Sequence, residues 1–135
     1  MSAEYYEILQ QYRRIAIVGL SPRPYRPSHA VAVYLAQHGY DITPVNPKES
    51  EILGRKCYPS LKEVPQPLEI VDIFRDPAAI PAIVAEAIEY GAKVIWMQLG
   101  LIDEAAARRA RDAGLLVVMD RCIKIEHARF GMPRK

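Results

Sequence analysis

A segment rich in proline and arginine follows a short apolar run near the start of the chain. It extends from Gly19 to Ser28 and contains Arg23 and Arg26. If a strand ends at Gly19 and a helix begins at Ser28, the backbone N–H groups of the loop and of the helix N-terminus can hold a phosphate. Arginine adds paired donors that match phosphate oxygens. The segment therefore favours phosphate binding, and the alternative is an ordinary turn with solvated arginines.

A lysine stands where dinucleotide-binding domains usually carry an acid. The second apolar run ends in Val45-Asn46-Pro47-Lys48, whereas NAD-binding domains place Asp or Glu here to bond the ribose hydroxyls. A lysine suits a phosphorylated ribose, either the 3′-phosphate of coenzyme A (CoA) or the 2′-phosphate of NADP. The alternative is a surface lysine in a turn. Only Gly19 of the first loop matches the G-x-G-x-x-G fingerprint, which also disfavours NAD.

Residue types suited to catalysis or metal binding are present, but not at the spacing that such chemistry needs. His29, His38 and His127 fall at a predicted helix start, a helix end and the polar tail. Cys122 with Glu126 and His127 lacks the paired spacing of a metal site. No serine-nucleophile or zinc-protease motif occurs. We therefore expect neither catalytic residues nor a metal ion.

Five short apolar runs alternate with segments of helical periodicity. We predict strands over residues 14–19, 41–46, 70–74, 93–97 and 115–119. We predict helices over residues 2–12, 28–39, 77–90 and 103–113, and a short polar tail to Lys135. Continuous apolar strands between helices are typical of a parallel sheet covered on both faces. The predicted fold is α/β, a Rossmann-like doubly wound parallel sheet of about five strands in three α/β/α layers.

The predicted topology also gives the position of a site. A doubly wound sheet binds ligands outside the carboxyl ends of its strands, where the strand order reverses. Four separate segments should converge there, at residues 19–28, 46–48, 74–76 and 98–100. Pro44 within the second run predicts that this strand lies at an edge of the sheet or contains a bulge.

Composition narrows the class of protein further. The 135 residues are 50% hydrophobic and 25% charged, with a net charge of +2, which is typical of one globular domain over residues 1–135. So small an excess of positive charge disfavours a dedicated nucleic-acid binder. No apolar run is long enough to span a membrane, and the N-terminus does not have the pattern of a signal peptide. Two cysteines suit a reducing cytoplasm.

Several motifs together resemble a known family. They are Gly19-Leu20-Ser21-Pro22-Arg23-Pro24, Pro44-Val45-Asn46-Pro47, Cys57-Tyr58-Pro59-Ser60-Leu61, Trp96-Met97-Gln98-Leu99-Gly100 and Asp120-Arg121-Cys122-Ile123. Over about residues 10–127 the sequence resembles the small single-domain CoA-binding proteins, which are similar to the N-terminal domain of the succinyl-CoA synthetase α subunit. After the third strand the family commonly has Val-Pro-Pro, where this chain has Phe74-Arg75-Asp76-Pro77.

The resemblance implies CoA as the cofactor and assigns roles to particular residues. The residues expected around CoA are Gly19, Leu20, Ser21, Arg23, Pro24, Arg26 and Ser28 at the phosphates, Val45, Asn46, Pro47 and Lys48 at the adenosine end, Phe74, Arg75 and Ile80 beside the adenine, and Gln98, Leu99 and Gly100 by the pantetheine. Cys122 closely follows the fifth strand and should emerge at the same rim. Succinyl-CoA synthetase also uses a phosphohistidine from a second domain, so ligase activity is not expected.

Two interpretations of function therefore stay open. The first is a non-catalytic module that binds CoA or an acyl-CoA. The second is an NADP- or NAD-binding Rossmann domain, acting as an oxidoreductase or a redox sensor. A scaffold protein with a vestigial nucleotide pocket is a further alternative. For the first two interpretations the expected partner is a small molecule; a nucleic acid or a membrane is not expected, and the sequence does not identify a protein partner.

Overall fold

The computed structural model describes residues 2–135, with side chains from Glu4 onward. Its strands are β1 (Arg14–Val18), β2 (Asp41–Val45), β3 (Glu51–Ile52), β4 (Arg55–Lys56), β5 (Ile70–Ile73), β6 (Val94–Met97) and β7 (Leu116–Val118). Five of them form a parallel sheet in the order β2-β1-β5-β6-β7. Val18 is in register with Val45 and Ile73, and Ile73 with Met97. Four strands therefore end at the same level.

Helices cover both faces of this sheet. They are α1 (Ser2–Gln11), α2 (Pro27–Gln37), α3 (Ile80–Glu89), α4 (Glu104–Asp112) and α5 (Ile123–Phe130). Apolar residues of α1, α2 and α5 pack with Ile15 and Ile17 on one face. Residues of α3 and α4 pack with Ala16 and Val71 on the other. The predicted Rossmann-like α/β/α fold is confirmed. No helix in residues 2–135 is long and apolar enough to cross a membrane.

Two elements differ from the sequence prediction. The tail predicted to be polar contains α5, which ends at Gly131 with a left-handed backbone. Polar Glu126 and His127 lie on the buried side of this helix, so the usual apolar stripe is interrupted. The hairpin β3–β4 was not predicted either. Leu53 and Gly54 at its turn both have positive φ, and leucine is an unusual residue there.

Pro44 lies in an edge strand, as the sequence predicted. β2 pairs with β1 on one side only, and Val45 accepts a hydrogen bond from Gly19 on that side. The Pro44 carbonyl points the other way and accepts from the N–H of Tyr58 at 3.0 Å. The ring nitrogen of Pro44 faces the same outer side, because the N and C=O of one residue point together. The proline therefore removes no hydrogen bond from the sheet.

Candidate functional site

A cavity lies where the strand order reverses. The chain passes from β1 outward to β2 and then returns to β5 on the other side of β1, so the reversal lies between β1 and β5. The cavity has a volume of about 850 Å³ and lies along the strand ends from β2 to β6. Three strand spacings separate those two strands, which is about 14 Å. This volume is in the range of ordinary ligand sites.

Most of the predicted site residues come together on the wall of this cavity. Thirteen of the eighteen line the cavity: Gly19, Ser21, Arg23, Arg26, Ser28, Asn46, Pro47, Lys48, Phe74, Arg75, Gln98, Leu99 and Cys122. Four further residues line the cavity: Pro27 and Asp76, which lie within the predicted segments 19–28 and 74–76, and Val31 and Leu101, which were not predicted. Val31 could have been found, because it lies one helical turn after the end of the first loop.

Five predicted residues do not line the cavity. Leu20, Val45 and Ile80 are buried in the two apolar cores, because their side chains point into the layers between sheet and helices. Pro24 and Gly100 belong to loops beside the cavity but do not line it. The sequence predicted which loops meet at the strand ends, but not which way each side chain points.

Gly19 allows the chain after β1 to lie close to the chain after β5 at the cavity. Its φ is +91°, a backbone conformation that favours glycine. A Cβ atom at this position would overlap the carbonyl oxygen of Phe74, and it would lie 2.8 Å from Cδ of Arg75. Only glycine therefore fits where β1 enters the first loop.

Side-chain hydrogen bonds fix the shape of the two loops beside the cavity. The Ser28 hydroxyl accepts from the N–H of Ser21 at 3.0 Å, and the Ser21 hydroxyl accepts from the N–H of Arg23 at 3.1 Å. Asn46 joins the loops, because its Nδ2 donates to the Leu20 carbonyl at 3.0 Å and its Oδ1 accepts from the N–H of Lys48 at 2.9 Å. The first loop is therefore held before any ligand enters.

The wall is strongly positive. Arg23, Arg26, Lys48 and Arg75 line the cavity, against the single acid Asp76. Both ion pairs found within residues 4–135 lie elsewhere, so none of these four cations is neutralised by a partner there. Pro27 begins α2 at the same edge, and the first turn of a helix carries a partial positive charge. Such a surface suits an anionic ligand with several phosphates.

The end of the cavity beside β6 is different in character. Leu99 and Leu101 contribute apolar surface, while Gln98 and Cys122 contribute polar groups. Asp120 has a positive φ and its Oδ1 accepts from the N–H of Gly100 at 2.7 Å, which fixes the loop after β6. This part of the wall suits a flexible, largely neutral chain.

Asp72 and His127 are buried titratable groups outside the cavity, and the burial of neither was predicted. Asp72 in β5 is fully buried, and its two carboxylate oxygens have no hydrogen-bond partner among the described residues. Burial raises the pKa of this carboxyl well above its usual value. His127 was expected in a polar tail but is 2% exposed in α5, where Nδ1 lies 2.8 Å from the Tyr34 hydroxyl. Burial, and then the nearby His38 and Lys135, lower the pKa of His127.

Comparison with known protein families gives a match over most of the chain. A family model described as a CoA binding domain matches residues 13–128. The chain belongs to this family of CoA-binding domains. All the residues that line the cavity belong to the matched range, residues 13–128.

Relatives of this CoA-binding domain occur both alone and as parts of larger proteins. It is 47% identical to the uncharacterized protein YneT of Bacillus subtilis, over 93% of each chain. It is 33% identical to the ADP-forming acetate–CoA ligase I subunit alpha of Pyrococcus furiosus, over 66% of this chain but only 21% of the ligase subunit. A solved structure of a hypothetical protein from Pyrococcus horikoshii OT3 superposes with a TM-score of 0.94 at 45% identity, covering 98% of this chain and 93% of that one.

Proposed function

We propose that this chain binds CoA or an acyl-CoA as a non-catalytic module, with residues 1–135 acting as one domain. The observation that carries the proposal is the row of four cations without ion-pair partners along a cavity of about 850 Å³. CoA has a diphosphate and a 3′-phosphate at one end and a long neutral arm at the other. Membership of the CoA-binding domain family supports the choice of this ligand over other phosphorylated nucleotides.

The two ends of the cavity suggest how CoA is oriented. The loop with Arg23 and Arg26 lies at the start of α2, where a diphosphate would meet guanidinium groups and the positive end of the helix. Lys48 follows β2 and would contact the 3′-phosphate. Gln98 and Leu99 lie at the β6 end, which leaves this end for the pantetheine arm.

A binding role is favoured over catalysis by the groups on the wall. Among the residues that the structure describes, none of His29, His38 and His127 lines the cavity. The hydroxyls of Ser21 and Ser28 both accept hydrogen bonds from backbone N–H groups. A serine nucleophile requires an adjacent base instead. The ligases that resemble this chain extend far beyond it, so their activity is not transferred.

Isothermal titration calorimetry with CoA, acetyl-CoA, NADP and NAD tests the proposal under reducing conditions. We expect CoA or acetyl-CoA to bind at least about tenfold more tightly than either dinucleotide, and the affinity to fall as salt is added, because phosphates are neutralised by exposed cations. Tighter binding of NADP would favour the oxidoreductase or redox-sensor alternative. No binding of any of the four would indicate a vestigial pocket.

A further inference from the structure

A thiol lies on the cavity wall at the end assigned to the pantetheine arm. Cys122 immediately precedes α5, is half-buried and lines the cavity together with Gln98 and Leu99. Its side chain makes no capping hydrogen bond to the helix. Cys122 packs in part against the apolar core beside α5, and it also lines the cavity, where a ligand can meet it.

Gln98 provides an independent indication of a ligand at the same place. The residue is only 5% exposed, and its Oε1 accepts from the N–H of Ile123 at 3.1 Å. A backbone N–H can only donate, so the amide oxygen must face Ile123 and the NH₂ group must face the other way. Gln98 lines the cavity, and its Nε2 makes no hydrogen bond with any residue that the structure describes. Nε2 is not one of the fully buried polar atoms without a partner, so it keeps some exposure and is free to donate to an amide carbonyl of pantetheine in the cavity.

The other cysteine has the opposite environment. Cys57 is buried, does not line the cavity, and its Sγ donates to the Asn46 carbonyl at 3.5 Å. Burial raises the pKa of the Cys57 thiol, which reduces its thiolate fraction. Cys57 therefore serves as a matched control within the same chain.

We propose, on the basis of the proposed function, that Cys122 is a thiol–disulfide exchange site for CoA. The oxidant is CoA disulfide, bound with one of its two CoA units in the cavity. The Cys122 thiolate attacks the sulfur of that unit, and a new S–S bond joins the protein to CoA. The S–S bond of CoA disulfide breaks, and the second unit leaves as a thiolate that takes up the proton lost by Cys122. Excess thiol reverses the step, so occupancy of the cavity becomes dependent on redox conditions.

Intact-mass measurement after incubation with CoA disulfide tests the proposal. We expect one adduct on the wild type, with the mass of CoA less two hydrogen atoms, and its loss on adding a thiol reductant. Cys57→Ser should keep the adduct and Cys122→Ser should lose it. Peptide mapping of the wild-type adduct identifies the cysteine even if a variant fails to fold. An adduct on Cys57, or none while reduced CoA binds in calorimetry, would overturn this inference and leave the proposed function intact.

A rate comparison separates a site for CoA from a merely accessible thiol. We expect Cys122 to react at least about tenfold faster with CoA disulfide than with glutathione disulfide, because binding positions the reacting sulfur. An excess of S-methyl-CoA, which cannot exchange, should slow the reaction with CoA disulfide by competing for the cavity. Equal rates for the two disulfides, or no effect of S-methyl-CoA, would show that the cavity plays no part. If reduced CoA does not bind at all, it is the proposed function that fails.

Discussion

The carbonyl oxygen of Phe74 occupies the position where a side chain on residue 19 would begin. β1 and β5 are neighbouring strands, and the loops that follow them both line the cavity. The contact therefore joins the phosphate-binding loop to the loop expected beside the adenine. A side chain at residue 19 should therefore affect binding and stability together.

Gly19→Ala is expected to destabilise the protein by about 1–3 kcal/mol and to weaken CoA binding, because the methyl group must displace Phe74 and Arg75. Gly114→Ala is the matched control, since Gly114 has a φ of +92° but no atom within 4 Å of the added methyl. Urea unfolding and calorimetry on both variants measure the effects. Equal losses for the two variants would mean that backbone conformation alone, and not the close approach, requires glycine at position 19.

Lys48→Ala should weaken the binding of CoA by roughly 10- to 150-fold, the equivalent of one charge-assisted contact of about 1.5–3 kcal/mol. Dephospho-CoA, which lacks the 3′-phosphate, should lose much less affinity. Lys93→Ala, an exposed lysine outside the cavity, is the control. A similar loss for CoA and dephospho-CoA would remove Lys48 from the 3′-phosphate.

Asp72→Asn should change how stability depends on pH. The pKa of Asp72 is raised by burial, so the folded state holds a proton that the unfolded state releases near pH 4. Its contribution to stability is therefore full below about pH 4 and is lost as the pH rises toward the folded pKa, by up to about 1.4 kcal/mol per pH unit. Asparagine does not titrate, so the free energy of unfolding of the variant should increase relative to that of the wild type as the pH rises.

Urea unfolding between about pH 4 and pH 8 measures this difference, with exposed Asp112→Asn as the control. A constant difference between Asp72→Asn and wild type over that range would show that Asp72 has the same pKa folded and unfolded.

His127 should make the fold sensitive to acid. Its pKa is lowered in the folded state, so its contribution to stability is present above about pH 6.5 and is lost as the pH falls through the folded pKa. His127→Asn keeps a polar group near the Tyr34 hydroxyl but cannot titrate. We expect the variant to be less stable than wild type at neutral pH, and to lose less stability between about pH 7 and pH 5. Parallel unfolding curves at both pH values would contradict the prediction.

The sequence predicted the fold well because the signals for its elements are local. Each sheet strand is a short apolar run. Gly19 and Gly114 separate such runs from helices, and Pro47 ends the run of β2 before the β3–β4 hairpin. Parallel strands bring their carboxyl ends to one rim, so the loops of the candidate site followed from topology alone.

The sequence failed where burial depends on distant parts of the chain. Asp72 stands inside an apolar run, and nothing nearby indicates that its carboxyl has no partner. His127 is buried only because Tyr34 and Tyr40, from elsewhere in the chain, pack against it. The family resemblance placed Leu20 and Ile80 at the site, although their side chains enter the core.

The outer side of β2 has a consequence for self-association. Exposed sheet edges invite strands of other molecules to pair with them, which is a common route to aggregation. Here Pro44 has no N–H to offer, and its carbonyl and the N–H of Asn46 are both already bonded to Tyr58. A second copy of the chain would find no free backbone donor or acceptor between Pro44 and Asn46. The end of β2 beside the cavity is therefore protected against edge-to-edge polymerisation.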